Sequence, residues 1–140
     1  MGDDNDERIW RLSEDGDIEG VQAAIAKGAD VNEGDDMSDG TGLMYALSQG
    51  HNEVVQLLLN HPQIDINKVD PFGLCALHSA VGHDNHEGMA ALLARQDLTT
   101  INQMNDDGRT PIMEAVHQNA ENCFNLLLNH PQIDIKNGVQ

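Results

Sequence analysis

The chain has 140 residues, enough for one domain, with 24 acidic and 7 basic side chains and a formal net charge of −17. That field repels nucleic-acid phosphates and anionic lipid surfaces and attracts basic protein surfaces, so nucleic acid and membrane are set aside as partners. Two cysteines, Cys75 and Cys123, give no disulfide framework, and no apolar run approaches the roughly 20 residues that cross a bilayer, so a reducing compartment, cytoplasmic or nuclear, is expected.

Residues 1–6, Met1-Gly2-Asp3-Asp4-Asn5-Asp6, read as an acidic tail without the basic and apolar regions of a signal peptide. Residues 1–39 together hold 13 acids against 3 bases. Such a segment steers a Lys- or Arg-rich partner, with plain solvation as the simpler account of the tail itself. From Ile9 to Asn32 a polar helical pair is expected, its outer face supplied by Arg8, Arg11, Glu14, Asp15, Asp17 and Glu19. Next come a helix through Leu43, Tyr45 and Leu47, a tight turn at Gln49-Gly50-His51, and a second helix from Asn52 to Asn60. Val54, Val55, Leu57, Leu58 and Leu59 give that helix a broad apolar surface, and His61-Pro62 ends it, because proline disfavours helix at the residue before it and cannot donate. A third pair runs through Ala76-Leu77-His78-Ser79-Ala80 and Leu92-Leu93, with the turn Gly82-His83-Asp84-Asn85 read as one residue longer than its counterparts. In the fourth, Thr110 is the expected N-cap and Pro111 the first helical residue, where no N–H is required.

The periodicity is explicit. Leu57 to Ile66 recurs unchanged at Leu126 to Ile135, and Ile9, Leu43, Leu77 and Ile112 are spaced 34, 34 and 35. Asp36, Asp70 and Asn105 fall at one phase, and Gly16, Gly50, Asn85 and Asn119 fall in the turn between helices. Four units follow, about 1–35, 36–69, 70–104 and 105–140, within a single domain spanning 1–140. One helix pair cannot bury its apolar side alone, so the units must stack.

No convergent acid, base or nucleophile set appears, and no phosphate loop or zinc-protease motif, so the chain reads as a non-enzyme without cofactor or metal. His83-Asp84-Asn85-His86 is the densest histidine cluster but lacks a matching Cys or His pair. Cys75 and Cys123 read as small core residues.

Gly50-His51-Asn52-Glu53-Val54-Val55-Gln56-Leu57-Leu58-Leu59, Ala76-Leu77-His78-Ser79-Ala80, Asp107-Gly108-Arg109-Thr110-Pro111-Ile112 and Lys27-Gly28-Ala29-Asp30-Val31-Asn32 resemble the ankyrin repeat, over about residues 7–136. The resemblance implies an all-α ankyrin-repeat solenoid of four helix-turn-helix units with β-turn tips. It also implies a protein-binding role through a concave surface of tips and first helices. By phase, Met37, Tyr45, Gln49, Phe72, Leu74, His83, Arg109 and His117 are the partner-binding candidates, Tyr45 and Phe72 foremost because aromatics are scarce here and anchor interfaces. The expected partner is a protein, with a basic surface favoured by charge; the alternative is a stand-alone inhibitor that blocks an enzyme such as a kinase. No unit keeps the whole Thr-Pro-Leu-His box, so the local Thr–His hydrogen bond of the family is expected to be missing throughout. The fourth unit keeps the interior-type Leu126-Leu127-Leu128. It therefore reads as part of a longer protein or as an end that a partner covers, and self-association through it is expected. Leu59, five residues, then Asp65-Ile66-Asn67 resembles the pattern that asparagine hydroxylases recognise in these repeats, marking Asn67 for hydroxylation against a purely structural turn role.

Overall fold

The computed structural model describes residues 8–135. The acidic tail over 1–6 lies outside the described residues. Eight helices follow in order: α1 (Ile9–Asp15), α2 (Ile18–Ala26), α3 (Gly42–Gln49), α4 (Asn52–Leu59), α5 (Ala76–Val81), α6 (His86–Leu93), α7 (Pro111–Gln118) and α8 (Glu121–Leu128). Among the described residues there is no strand, only an isolated bridge between Gly34 and Thr41 at the first tip. Each helix packs on its partner within a pair and on the equivalent helix of the next pair, so α1, α3, α5 and α7 form one layer and α2, α4, α6 and α8 the other.

Local chemistry sets the helix ends. The Thr41 and Thr110 hydroxyls accept the backbone N–H of Met44 and Met113, satisfying donors that a helix start leaves open. In α5 Cys75 takes the threonine position, and a Cys–His contact stands where the family has the Thr–His bond. Cys75 N–H donates to His78 Nδ1 at 3.1 Å, and Sγ lies 3.3 Å from the same nitrogen. With Nδ1 accepting, Nε2 carries the proton and donates to the Arg109 carbonyl at 3.1 Å, joining the third pair to the fourth. Sulfur thus closes the box that the sequence left open.

The turn between helices is read one residue off by sequence in the third pair. Gly16, Gly50 and Asn119 are left-handed, and the third member is Asp84 (φ +51), not Asn85. Asn85 is instead the N-cap of α6, accepting from Gly88 N–H. The third turn therefore has no extra residue. The tips are offset likewise: the side chains that organise them are Asp35, Asp70 and Asn105, each accepting two backbone N–H bonds from its own loop. The longer first loop places its additional residue after Asp35, so Asp36 sits at the tip's outer edge.

One buried cluster runs the length of the stack, with Leu43, Leu77 and Ile112 in one layer and Val55, Leu58, Met89, Leu92 and Leu127 in the other. Burying such side chains contributes about 1.5–3 kcal/mol each. Polar cross-ties repeat at the loops. The Asn32 amide donates to Gln63 O (2.8 Å) and accepts from Asp65 N (2.8 Å). Asn67 does the same with Asp97 O and Thr99 N, and Asn102 with Gln132 O and Asp134 N.

Candidate protein-binding surface

Three tips project from the stack; the first two carry a large apolar side chain two residues after the organising acid, Met37 after Asp35 and Phe72 after Asp70, whereas the third has Asp107 at that place and shows Met104 just before Asn105. Met37 is 97% exposed and Phe72 is 52% exposed, while Met104, which sequence reading did not single out, is 49% exposed. Asp36, Asp106 and Asp107 are exposed around them. Adjacent tips are tied by backbone: Asp106 N–H donates to Phe72 O at 2.9 Å. Gly73 beside it is left-handed (φ +77), and a Cβ there would lie 2.8 Å from Asn105 Cα. Glycine is therefore required both by dihedral and by contact. Leu74 closes this tip, its N–H donating to Asp70 Oδ1 and its carbonyl accepting from Asp70 N–H, with its side chain half-buried.

Tyr45, placed at the solvent side by sequence phase, is half-buried, and its hydroxyl donates to Asp35. Its ring lies 5.9 Å from that of Trp10, tilted by 36°, and the Arg11 guanidinium sits 5.6 Å from the Trp10 centroid. Trp10, Asp35, Asp36, Met37, Ser38 and Tyr45 line a hollow of about 440 Å³ beside the first tip. Burial pushes the Asp35 carboxyl up, but Ser38 N–H, the Tyr45 hydroxyl, the Ser38 hydroxyl and Met37 N–H outweigh it and hold Asp35 well below the usual carboxylate range. These donors are all neutral, so Asp35 keeps its negative charge. Burial and the Asp35 bond in turn keep the Tyr45 phenol protonated. Asp36 is paired with Arg8 at 3.2 Å, and Arg8 also holds Glu33 at 2.9 Å.

The remaining candidates separate. Gln49 is exposed at the end of α3, and His83 is exposed with Nδ1 2.7 Å from the Ser48 carbonyl, a ring held against the preceding first helix. Arg109 lies 3.8 Å from Asp107 and 3.7 Å from Glu114. Arg109 and His117 are at the far end of the stack, on the wall of a second hollow of about 430 Å³ with Val116, Phe124, Leu128 and Ile135. The structure thus gathers Met37, Tyr45, Phe72 and Leu74 with the tips, and sets Arg109 and His117 toward the end face. Trp10 and Asp35 are site walls that sequence reading did not place there; the spacing of Asp35, Asp70 and Asn105, 35 residues each, was the available signal.

Asn67 is half-buried with both ends of its amide engaged across the loop, at 2.7 Å to Asp97 O and 2.8 Å from Thr99 N. Burial lowers the His78 pKa from the ordinary histidine value. It raises the Cys75 thiol, and burial together with Asp84 pushes Cys123 up to about 12. Among the described residues no group of three or more His, Cys, Asp or Glu side chains is arranged to hold a metal ion, and no helix is long and apolar enough to cross a membrane.

The profile of a family described as ankyrin repeats (3 copies) matches residues 9–102 and 62–138. Rabankyrin-5 of Mus musculus is 31% identical over 131 residues, covering 94% of this chain and 10% of that protein. An ankyrin repeat protein of Fowlpox virus is 36% identical over 104 residues, covering 74% of this chain and 30% of the viral protein. Serine/threonine-protein kinase 12 of Arabidopsis thaliana is 35% identical over 78 residues, 56% of this chain and 17% of the kinase. The chain spans under a third of the length of each of these relatives.

Proposed function

We propose that this chain, which belongs to the ankyrin-repeat family, holds a basic segment of another protein along its tips and first helices and performs no catalysis of its own. Ankyrin repeats are protein–protein interaction modules, and the finer reading concerns this chain's surface. One observation carries it: Met37, Phe72 and Met104 are exposed in a row of tips whose neighbouring side chains are carboxylates. An apolar anchor ringed by charge is the composition of an interface centre and its rim. The hollow beside Trp10 and Tyr45 adds a place where a Lys or Arg side chain meets the aromatic rings beside the exposed Asp36 carboxylate. Gln49, His83 and Leu74 flank the same face; Arg109 and His117 would touch only a segment long enough to reach the fourth unit.

Calorimetric titration with an extended Lys/Arg-rich peptide library, and with acidic peptides of equal length, tests this reading. The reading expects basic peptides to bind, binding to weaken with added salt, and Phe72→Ala or Met37→Ala to weaken it by about tenfold without loss of helicity. Equal binding of acidic peptides, or no response to either substitution, would refute it.

A further inference from the structure

Only 7 basic side chains stand against 24 acidic ones, and two of them hold walls of the hollow at the first tip. Arg8 bridges two carboxylates, with Nε 2.9 Å from Glu33 Oε1 and Nη2 3.2 Å from Asp36 Oδ1. Arg11, in the first turn of α1, sets its guanidinium 5.6 Å from the Trp10 ring centroid. A carboxylate beside an aromatic face is what a guest cation would use here, and both are already engaged from within the chain. The other tips differ. Among the described residues Asp70 and Asp106 make no ion pair, and Asp107 has only the 3.8 Å contact with Arg109. The Arg8 side chain does not serve the helix that it starts. It makes no cap bond, and the Arg8 carbonyl alone accepts from Arg11 N and Leu12 N.

We propose that Arg8 and Arg11 are an internal stand-in for a partner's arginine, an autoinhibitory contact that a basic segment must displace to occupy the first tip. The proposal rests on the peptide-capture reading and adds what regulates it. Two features make the contact exchangeable. The Glu33 and Asp36 side chains stay 39% and 64% exposed, and ion pairs in such surroundings contribute little to stability and give way to charges arriving from solution. Arg11 is held by the Trp10 ring and by Glu14 at 3.8 Å on its own helix, while Arg11 Nε and Trp10 Nε1 are buried without a hydrogen-bond partner. The resting arrangement thus leaves two donors unmet, and its rearrangement gives up little. The contact also states which guest replaces it. Arg8 meets its two acids through different nitrogens of one planar group. An arginine reproduces that fork, whereas a lysine ammonium is a single point of charge.

Calorimetric titration of the full chain with an Arg-rich peptide, and with the same peptide carrying Lys for every Arg, tests the proposal. Arg8→Lys keeps the charge and loses the fork, so it should tighten the Arg-rich peptide by about threefold. Arg8→Gln also removes the charge and should tighten it by about tenfold, with a smaller gain for the Lys-rich peptide. Lys27→Gln changes net charge equally at an exposed position closing α2 and should shift either peptide by less than about twofold. Circular dichroism should be the same for all four chains. Trp10 is the one tryptophan in the chain, so its emission should change as the Arg-rich peptide binds and Arg11 leaves the ring. Equal gains from Arg8→Gln and Lys27→Gln, or no gain from Arg8→Lys, with the parent still binding, would overturn the stand-in and leave peptide capture intact. Failure of both the parent and Arg8→Gln to bind either peptide would remove the two together.

Discussion

Asp84 holds two structural jobs at once, and a pair of substitutions separates them. Its backbone is left-handed at φ +51, and its carboxylate reaches the start of α8, whose own N-cap, Ala120, has no acceptor. The carboxylate accepts from Cys123 N at 2.9 Å, Asn122 N at 3.3 Å and Asn122 Nδ2 at 3.0 Å. Losing a cap of this kind costs about 1 kcal/mol, and a Cβ-bearing residue without a polar side chain pays a further 1–2 kcal/mol or so in the left-handed region. Asp84→Ala should therefore lose roughly 2–3 kcal/mol in urea unfolding at neutral pH with an unchanged slope. Asp84→Gly loses the same cap but relaxes the dihedral, and should be more stable than the alanine variant by about 1 kcal/mol. Burial opposes ionisation of Asp84, but the donors from Cys123 and Asn122 hold its pKa below the ordinary value. Its charged form therefore contributes fully above pH ~4, and that contribution disappears as pH falls through the lower folded value. Equal stabilities of the alanine and glycine variants would remove the dihedral argument. Both variants lying within about 0.5 kcal/mol of the parent would remove the cap.

Three further outcomes follow from the same geometry. His78 is buried in its neutral form, so stability should fall as pH drops below the unfolded histidine pKa of about 6.5; His78→Gln should flatten that slope in urea titrations at several pH values. Asn67→Ala removes an acceptor and a donor between the second and third units and should cost about 2 kcal/mol, whereas hydroxylation of Asn67 requires this amide to be lifted first. Intact-mass comparison should therefore show slower hydroxylase turnover on the folded chain than on a peptide spanning residues 55–75, and equal rates would contradict the bonded amide. Cys75 and Cys123 should resist a thiol reagent at neutral pH until urea unfolds the chain; rapid labelling in the native state would contradict their burial and raised pKa values.

The stack itself was legible because its determinants are local and repeated. The copied segment around His61 and His130, the Thr110-Pro111 start and the 34-residue apolar spacing each state a helix end or a buried face within a few residues. Register within the turns was harder to read. Asp84 and Asn85 both suit a left-handed position, and only the cap geometry of α6 assigns Asn85 to the helix. Asp36 and Asp35 pose the same ambiguity at the first tip. The Cys75–His78 bond escaped a reading that asked for a hydroxyl, because a thiol and a backbone N–H can close the same box. At the surface, scarce aromatics pointed to Phe72 correctly as an exposed tip residue. Phase alone put Tyr45 at the solvent side, and its bond to Asp35 joins residues ten apart across the tip loop, where no short pattern announces it. Asp84 reaching α8 spans 38 residues, a distance over which no local pattern speaks.

The asparagine cross-ties share one direction. Asn32, Asn67 and Asn102 each sit in the earlier loop and bind backbone groups about 30 residues later. On the ribosome each amide is therefore made well before the carbonyl it will bind. The nascent stack always ends in an open donor and acceptor, ready to fix the register of whatever loop emerges next. Growth can thus proceed outward from the amino terminus one loop at a time, each addition guided by a side chain already in position.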